Sequence, residues 1–240
     1  MKLAVVALGL VLVFAASGNA APILQVDIGG DFVTGGFQVV QPGWSAFDLH
    51  ELAPGFTDTI SHVYGSITMS ITATIYGETI GLTFLQGPYP VGVTIPSVYD
   101  DAAVANVFGD GVGGGMKIEI SGLTAGQKYS VDMWHWSNGG GDQSGVNVDW
   151  YDDSSGHVLI GNFATAIALP TSDTDYMDSF FATANASGTL IFAASTGPNT
   201  GNFSVNALQV TAVPEPGTLL LLGFGLVGLG AAGWRRHRWE

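Results

Sequence analysis

The chain has 240 residues, a formal net charge of −14 and no cysteine, so disulfides, zinc thiolate sites and cysteine nucleophiles are excluded. Between residues 21 and 212 eighteen Asp and Glu stand against two basic residues, Lys117 and Lys128. Such a surface repels phosphate backbones, which excludes nucleic-acid binding, and it favours solubility and attracts divalent cations.

The chain opens "MKLAVVALGLVLVFAASGNAAP", with Lys2, an uncharged apolar run from Leu3 to Ala16 and small residues up to Ala20. That order predicts a secretory signal peptide over residues 1–20, removed after Ala20. The run is short for a membrane span. The remainder up to residue 212, about 190 residues, is long enough to bury a core without disulfides.

From here the sequence reads as strands and turns. In "YGSITMSITATIYGETIGLTF" Ile67, Met69, Ile71 and Ala73 alternate with Ser and Thr, giving one apolar face at a period of two. "VYDDAAVANVFG" has room for a turn or two of helix, and little else in the body has helical periodicity. "MKIEISGL" and "QKYSVDMWHW" alternate again, and "GVNVDWYDDSSGHVLIGNF" reads as a hairpin turning at Asp152 to Gly156. "SGTLIFAAS" and "NFSVNALQVTAV" supply the last two strands, while "GDGVGGG" and "SNGGGDQSG" are loops within the domain. Strands divided by Gly and Asp turns, with no repeat and no strand–helix alternation, predict an all-β fold. The expectation is one antiparallel β-sandwich or jelly roll over residues 21–212.

The chemistry of a catalyst is hard to find in it. Gly109, Gly111 and Gly114 have a dinucleotide-loop spacing but lead into a strand, so no helix N-terminus is there to hold a pyrophosphate. His50, His62, His135 and His157 are isolated from one another. Asp100–Asp101 and Asp152–Asp153 are adjacent pairs of the kind that form turns, whereas glycoside hydrolysis needs two carboxyl groups facing one cleft at about 5–9 Å. Asp27, Asp31, Asp142 and Asp149 are hard oxygen ligands near strand ends or Gly-rich loops, but no calcium-loop signature accompanies them. The expectation is therefore a protein that is not an enzyme and has no cofactor, with a structural calcium left unassigned.

One patch suggests a ligand. Alternation in "YSVDMWHW" puts Tyr129, Val131 and Met133 on one face and Asp132, Trp134 and Trp136 on the other. With the first set inward, Trp134 and Trp136 form a flat stacking platform for a sugar ring and Asp132 accepts hydroxyl hydrogen bonds. A bulge, or a further layer over this face, would remove the platform. Trp44 and Trp150 are expected in the core.

The end of the chain is different again. Residues 217–234 carry no charge and as a helix span about 27 Å, enough for a bilayer core. Arg235, Arg236 and Arg238 follow and hold that end on the cytoplasmic side. "VPEPGT", with Pro214, Glu215 and Pro216, precedes the span, so residues 213–240 in full resemble the PEP-CTERM sorting signal. The resemblance implies a bacterial exported protein held first by its tail in the membrane. An exosortase-type membrane protease would then process it near Pro214–Pro216, leaving the domain at the cell surface or in the extracellular matrix.

The body, in "SGLTAGQKYSVDMWHWS", the hairpin and "FSVNALQVTAVPEP", is similar to secreted domains with galactose-binding-like and malectin-like β-sandwiches. That likeness implies a sandwich fold and, as partner, an extracellular polysaccharide or other glycan. The alternatives are a structural matrix protein with no small ligand and a polysaccharide-active hydrolase or lyase.

Overall fold

A computed structural model describes residues 20–29, 40–48, 59–75, 82–84, 103–105, 114–136, 147–152, 158–164, 168–195, 203–214 and 225. Pro22–Thr211 is one compact unit, and Met1–Ala21 with Ala212–Glu240 is the other. The first unit contains the fold. The signal peptide up to residue 19, Glu215, Pro216, the span 217–234 apart from residue 225, and Arg235, Arg236 and Arg238 lie outside the described residues. So do Asp31 and Asp142. Among the described residues no helix is long and apolar enough to cross a membrane.

Two large sheets and one small one make the fold. The first sheet has the order β11 (Met177–Thr183), β8 (Lys128–Trp134), β14 (Ala207–Ala212), β1 (Pro22–Gly29) and β2 (Ser45–Asp48). The second has the order β10 (Val158–Ala164), β9 (Asn147–Asp152), β12 (Leu190–Ser195), β7 (Gly114–Ser121), β4 (Ile67–Ile75) and β3 (Thr59–Tyr64). β13 (Phe203–Val205), β6 (Ala103–Ala105) and β5 (Leu82–Phe84) form the third. β11–β8, β1–β14, β3–β4, β4–β7, β12–β7, β12–β9 and the β9–β10 hairpin are antiparallel, but β1 and β2 run parallel.

Alternation decides which side chains meet between the large sheets. Leu24, Val26 and Ile28 of β1, Leu208 and Val210 of β14, and Tyr129, Val131 and Met133 of β8 are buried. Opposite stand Ile67, Met69 and Ile71 of β4, Met116, Ile118 and Ile120 of β7, and Leu190, Phe192 and Ala194 of β12, also buried. Phe180 of β11 meets Phe192 of β12 at 5.4 Å between centroids and 86°, and Phe47 of β2 meets His62 of β3 at 4.7 Å and 76°. Both are edge contacts favoured by the ring quadrupoles, and they join sheet to sheet. The fold is a β-sandwich, with Trp150 fully buried as its sequence phase predicts.

Three local expectations are corrected. Residues 103–105, read as part of a short helical stretch, form strand β6. The last predicted strand divides at Asn206 into β13 and β14, which belong to different sheets. Asn206 is buried, donates its N–H to the Trp134 carbonyl, and accepts from Ile28 N–H on its own carbonyl and from Trp136 N–H on its Oδ1. A side chain that replaces ladder hydrogen bonds in this way can end a strand inside a core. Finally, β1, β2, β3 and β11 lie in stretches that the sequence pattern did not mark; β2 has only four residues and adjacent Phe180 and Phe181 break the alternation of β11, whereas Leu24, Val26 and Ile28 of β1 do alternate with Gln25 and Asp27.

Candidate functional site

The expected platform is closed. Trp134 and Trp136 are 5% and 2% exposed, so they are not an outward stacking surface. The inward face of β8 follows the predicted phase, but a second layer covers the other face at the strand's C-terminal end. Trp44, Tyr176 and Met177 pack on the Trp134–Trp136–Ala207 cluster. Trp134 Nε1–H donates to the Asp173 carbonyl, and Trp136 Nε1–H donates to that of Ala168 at 2.8 Å. Large rings with one N–H each are satisfied by this arrangement, and it leaves no face for a ligand.

Asp132 is likewise engaged. Its Oδ1 accepts from Ser179 Oγ at 2.6 Å and its Oδ2 from Gln209 Nε2 at 3.0 Å, while Gln25 Nε2 donates to Gln209 Oε1 at 2.8 Å. The row crosses four strands of the first sheet on its outer face and works as a crossbar.

Trp44, expected in the core, is, like Tyr176, found partly exposed at this end. It meets Trp134 at 5.1 Å between centroids and 82°, so the buried ring sets the angle of the accessible one. Two loops hold it there. In the 40–44 turn, Trp44 N–H donates to the Gln41 carbonyl at 2.9 Å, and Gln41 N–H donates to Oδ2 of the fully buried Asp27 at 2.6 Å. The side-chain amide of Gln41 donates to Asp173 Oδ2 at 3.3 Å and ties this turn to the 168–176 loop.

That loop is fixed at several points. The Asp175 carboxylate accepts from the Ser172 hydroxyl, from Thr171 N–H and hydroxyl, and from Ser172 N–H. These donors hold its pKa far below the usual carboxylate range although it is exposed. Tyr176 hydroxyl donates to the Ala168 carbonyl at 2.9 Å, and His135 N–H donates to the Tyr176 carbonyl at 3.0 Å. His135 Nε2 lies 2.8 Å from Asp178 Oδ2, and this hydrogen bond lowers the Asp178 pKa against the opposing effect of burial.

The result is a loop-end arrangement: a partly exposed indole packed on the buried Trp134, in a turn that the Gln41 amide ties to Asp173, with Tyr176 packed on the same tryptophan cluster. An apolar face edged by a few fixed polar groups suits an uncharged ligand with both C–H faces and hydroxyls. Sequence reading missed Trp44, Gln41, Asp173 and Tyr176 because they come from separate loops. The one available signal was the tryptophan beside the Pro-Gly turn at residues 42–43.

Among the described residues no group of three His, Asp or Glu is placed to hold a metal ion. Asp27 binds the 40–44 turn, and Asp149 accepts from Tyr151 hydroxyl at 3.2 Å, which raises the tyrosine pKa. A shallow depression between β9, β12 and the β11–β12 turn is lined by Asp152, Thr183, Asn185 and Thr189, with Asp152 the one carboxyl group among the described lining residues.

Comparison with known proteins adds the following. Residues 212–237 match the PEP-CTERM protein-sorting motif. Among proteins of curated function, none is significantly similar to the chain. Among solved structures, the chain is similar to a family 35 carbohydrate-binding module from Paenibacillus barcinonensis at 16% identity, over 65% of this chain and 98% of that one, with a TM-score of 0.35. A family 35 module from Clostridium thermocellum gives 13%, 65%, 100% and 0.33. The enzymatically active domain of bacteriophage CBA120 tailspike protein 4 gives 10% and 0.31, over 62% of this chain but only 20% of the phage domain.

Proposed function

We propose that this chain, which carries a PEP-CTERM sorting motif over residues 212–237, is an exported, non-enzymatic surface module that binds neutral extracellular polysaccharide at its loop end. The observation behind the binding is Trp44, a partly exposed ring held edge-on by a buried one. Stacking on a sugar's C–H face needs a ring fixed in angle before the ligand arrives, since ordering it on binding costs affinity. Gln41 and Asp173 supply hydroxyl partners at the ring's edge. The domain's strong negative charge disfavours acidic glycans and leaves neutral chains as the class.

Sorting runs through the other end of the chain. Residues 1–20 direct export, 217–234 hold the precursor in the membrane, and Arg235, Arg236 and Arg238 keep its end cytoplasmic. An exosortase-type protease acts near Pro214, Glu215 and Pro216, and the domain 21–212 is left at the cell surface or in the matrix. β14 ends at Ala212, the residue at which the match to the motif begins.

The test of binding is a glycan array probed with the full chain in detergent, beside its Trp44→Ala variant. Signal on neutral polysaccharides that the variant lacks supports the reading. Silence from a folded chain removes it and leaves a structural matrix protein.

A further inference from the structure

Two edge strands lie side by side in the sandwich, and one of them is left open. β2, at the edge of the first sheet, is held by β3: Tyr64 hydroxyl donates to the Ala46 carbonyl at 2.7 Å, and His62 packs on Phe47. β3 is itself the last strand of the second sheet, and among the described residues no strand pairs with its outer side. The two-residue turn Gly65–Ser66 joins it to β4, with Gly65 at φ of +64°, so Tyr64 and Ile67 form a hydrogen-bonded pair. Bonded and non-bonded pairs alternate from there. Ile60 and His62 bond to β4, while Thr59, Ser61 and Val63 turn their N–H and carbonyl groups away from it. The side chains of these three are exposed as well, Val63 to 70%.

Proteins block such an edge with a charge, a proline or a bulge. β3 has none of these. Its register with β4 is regular from Thr59 to Tyr64, and residues 59–75 contain no Pro, Asp, Glu, Lys or Arg in a chain of net charge −14. Hydroxyl pairs lie on the outer face here, Thr59 with Thr72 at 2.9 Å and Ser61 with Ser70 at 2.7 Å. The next strand inward, β7, carries Lys117 and Glu119 opposite Thr72 and Ser70, and these two charges offset each other at 3.8 Å.

We infer that β3 is the contact through which two copies of this chain associate, antiparallel about a two-fold axis at Ser61. The outward groups at 59, 61 and 63 are symmetric about Ser61, so this register uses all of them. Ser61 pairs with Ser61 of the second copy and Thr59 with its Val63, giving about six backbone hydrogen bonds. Val63 then has a β-branched neighbour across the strand instead of water. Charge favours a second copy at this edge, because two chains this acidic repel wherever their carboxylates meet and here none lies on the strand. The antiparallel arrangement sets the two copies of Thr59, and with them the Asp58 before each, at opposite ends of the ladder. Two six-stranded sheets become one of twelve strands, and an isologous contact of this kind closes at the dimer.

The chain has no cysteine, so a disulfide can form only where one is introduced. The full chain in detergent carries Ser61→Cys, Thr59→Cys or Val63→Cys, is mildly oxidised, and is read on non-reducing gels. Ser61→Cys should bridge by itself, since paired Cα atoms at about 5.5 Å suit a disulfide. Thr59→Cys and Val63→Cys should each remain monomeric alone, their copies being about 13 Å apart, yet bridge to each other when mixed. Ser61→Pro, added to both members of that mixture, removes an outward N–H and no bond to β4. It should lower the bridged fraction by about tenfold, with thermal unfolding close to that of the parent. Equal bridging by all three single variants, the pattern of association through the tail, overturns the inference. So does a mixed dimer that Ser61→Pro leaves undiminished. A folded Ser61→Cys chain that stays monomeric also overturns it and leaves the edge to a different occupant.

Discussion

Trp44 and Trp134 stand edge to face, 5.1 Å apart at 82°, one partly exposed and the other buried. The pair divides two tasks that a single tryptophan would have to combine. Trp134 anchors the layer over β8, and Trp44 presents a ring to solvent.

Substitution should separate those tasks. Trp134→Ala removes a buried ring and is expected to cost about 3–5 kcal/mol of stability. Trp44→Ala should cost about 1–2 kcal/mol, since part of its area is already in water, and should abolish glycan binding. Urea unfolding beside the array measures both, and equal stability losses would contradict the division.

Asp132 predicts a stability effect without a binding effect. Asp132→Ala takes one partner from Ser179 and one from Gln209, at a cost of about 1–2 kcal/mol. Glycan binding should be unchanged. Lost binding in a variant of unaltered fold would return Asp132 to the site.

Acid should weaken the brace behind the loop. Because His135 donates to it, the Asp178 carboxyl titrates below its usual value of 3.8 in the folded chain. A lowered folded pKa stabilises above the unfolded value, and that contribution is lost as pH falls through the folded value. The Asp178 side chain is nearly half exposed, which limits the effect at neutral pH to about 1 kcal/mol or less. The stability gap between the chain and Asp178→Asn should therefore be present at pH 7 and shrink below pH 3.8. A gap that widens in acid would reverse the sign.

Two glycines with similar backbones should respond differently to alanine. Gly122 has φ of +84°, and a Cβ there would lie 2.0 Å from the Ser66 carbonyl oxygen. Gly126 has φ of +74° and open space around it. Gly126→Ala should cost about 1–2 kcal/mol for the left-handed conformation alone. Gly122→Ala adds a backbone clash of the β7–β8 turn with the β3–β4 turn and should cost at least twice that, as read from denaturant midpoints.

Much of this was legible in the chain. The period-two runs of β4, β7 and β8 determined which residues are buried, because alternation leaves a half-buried strand no choice of face. Composition excluded disulfides, and the ordered features of the tail identified the sorting motif. The β9–β10 hairpin could be read because its turn residues stand next to its strands in the sequence.

What covers a face is not written in the strand that owns it. Trp134 has the phase of an outward residue, and only the 168–176 loop, about forty residues further on, closes over it. The division at Asn206 follows from hydrogen bonds to Ile28, Trp134 and Trp136, contacts that exist only when β1 and β8 are in place. For the same reason Trp44 could not be picked from the tryptophans by sequence. Local pattern sets the direction of a side chain, while long-range packing decides whether that direction ends in solvent or under another layer.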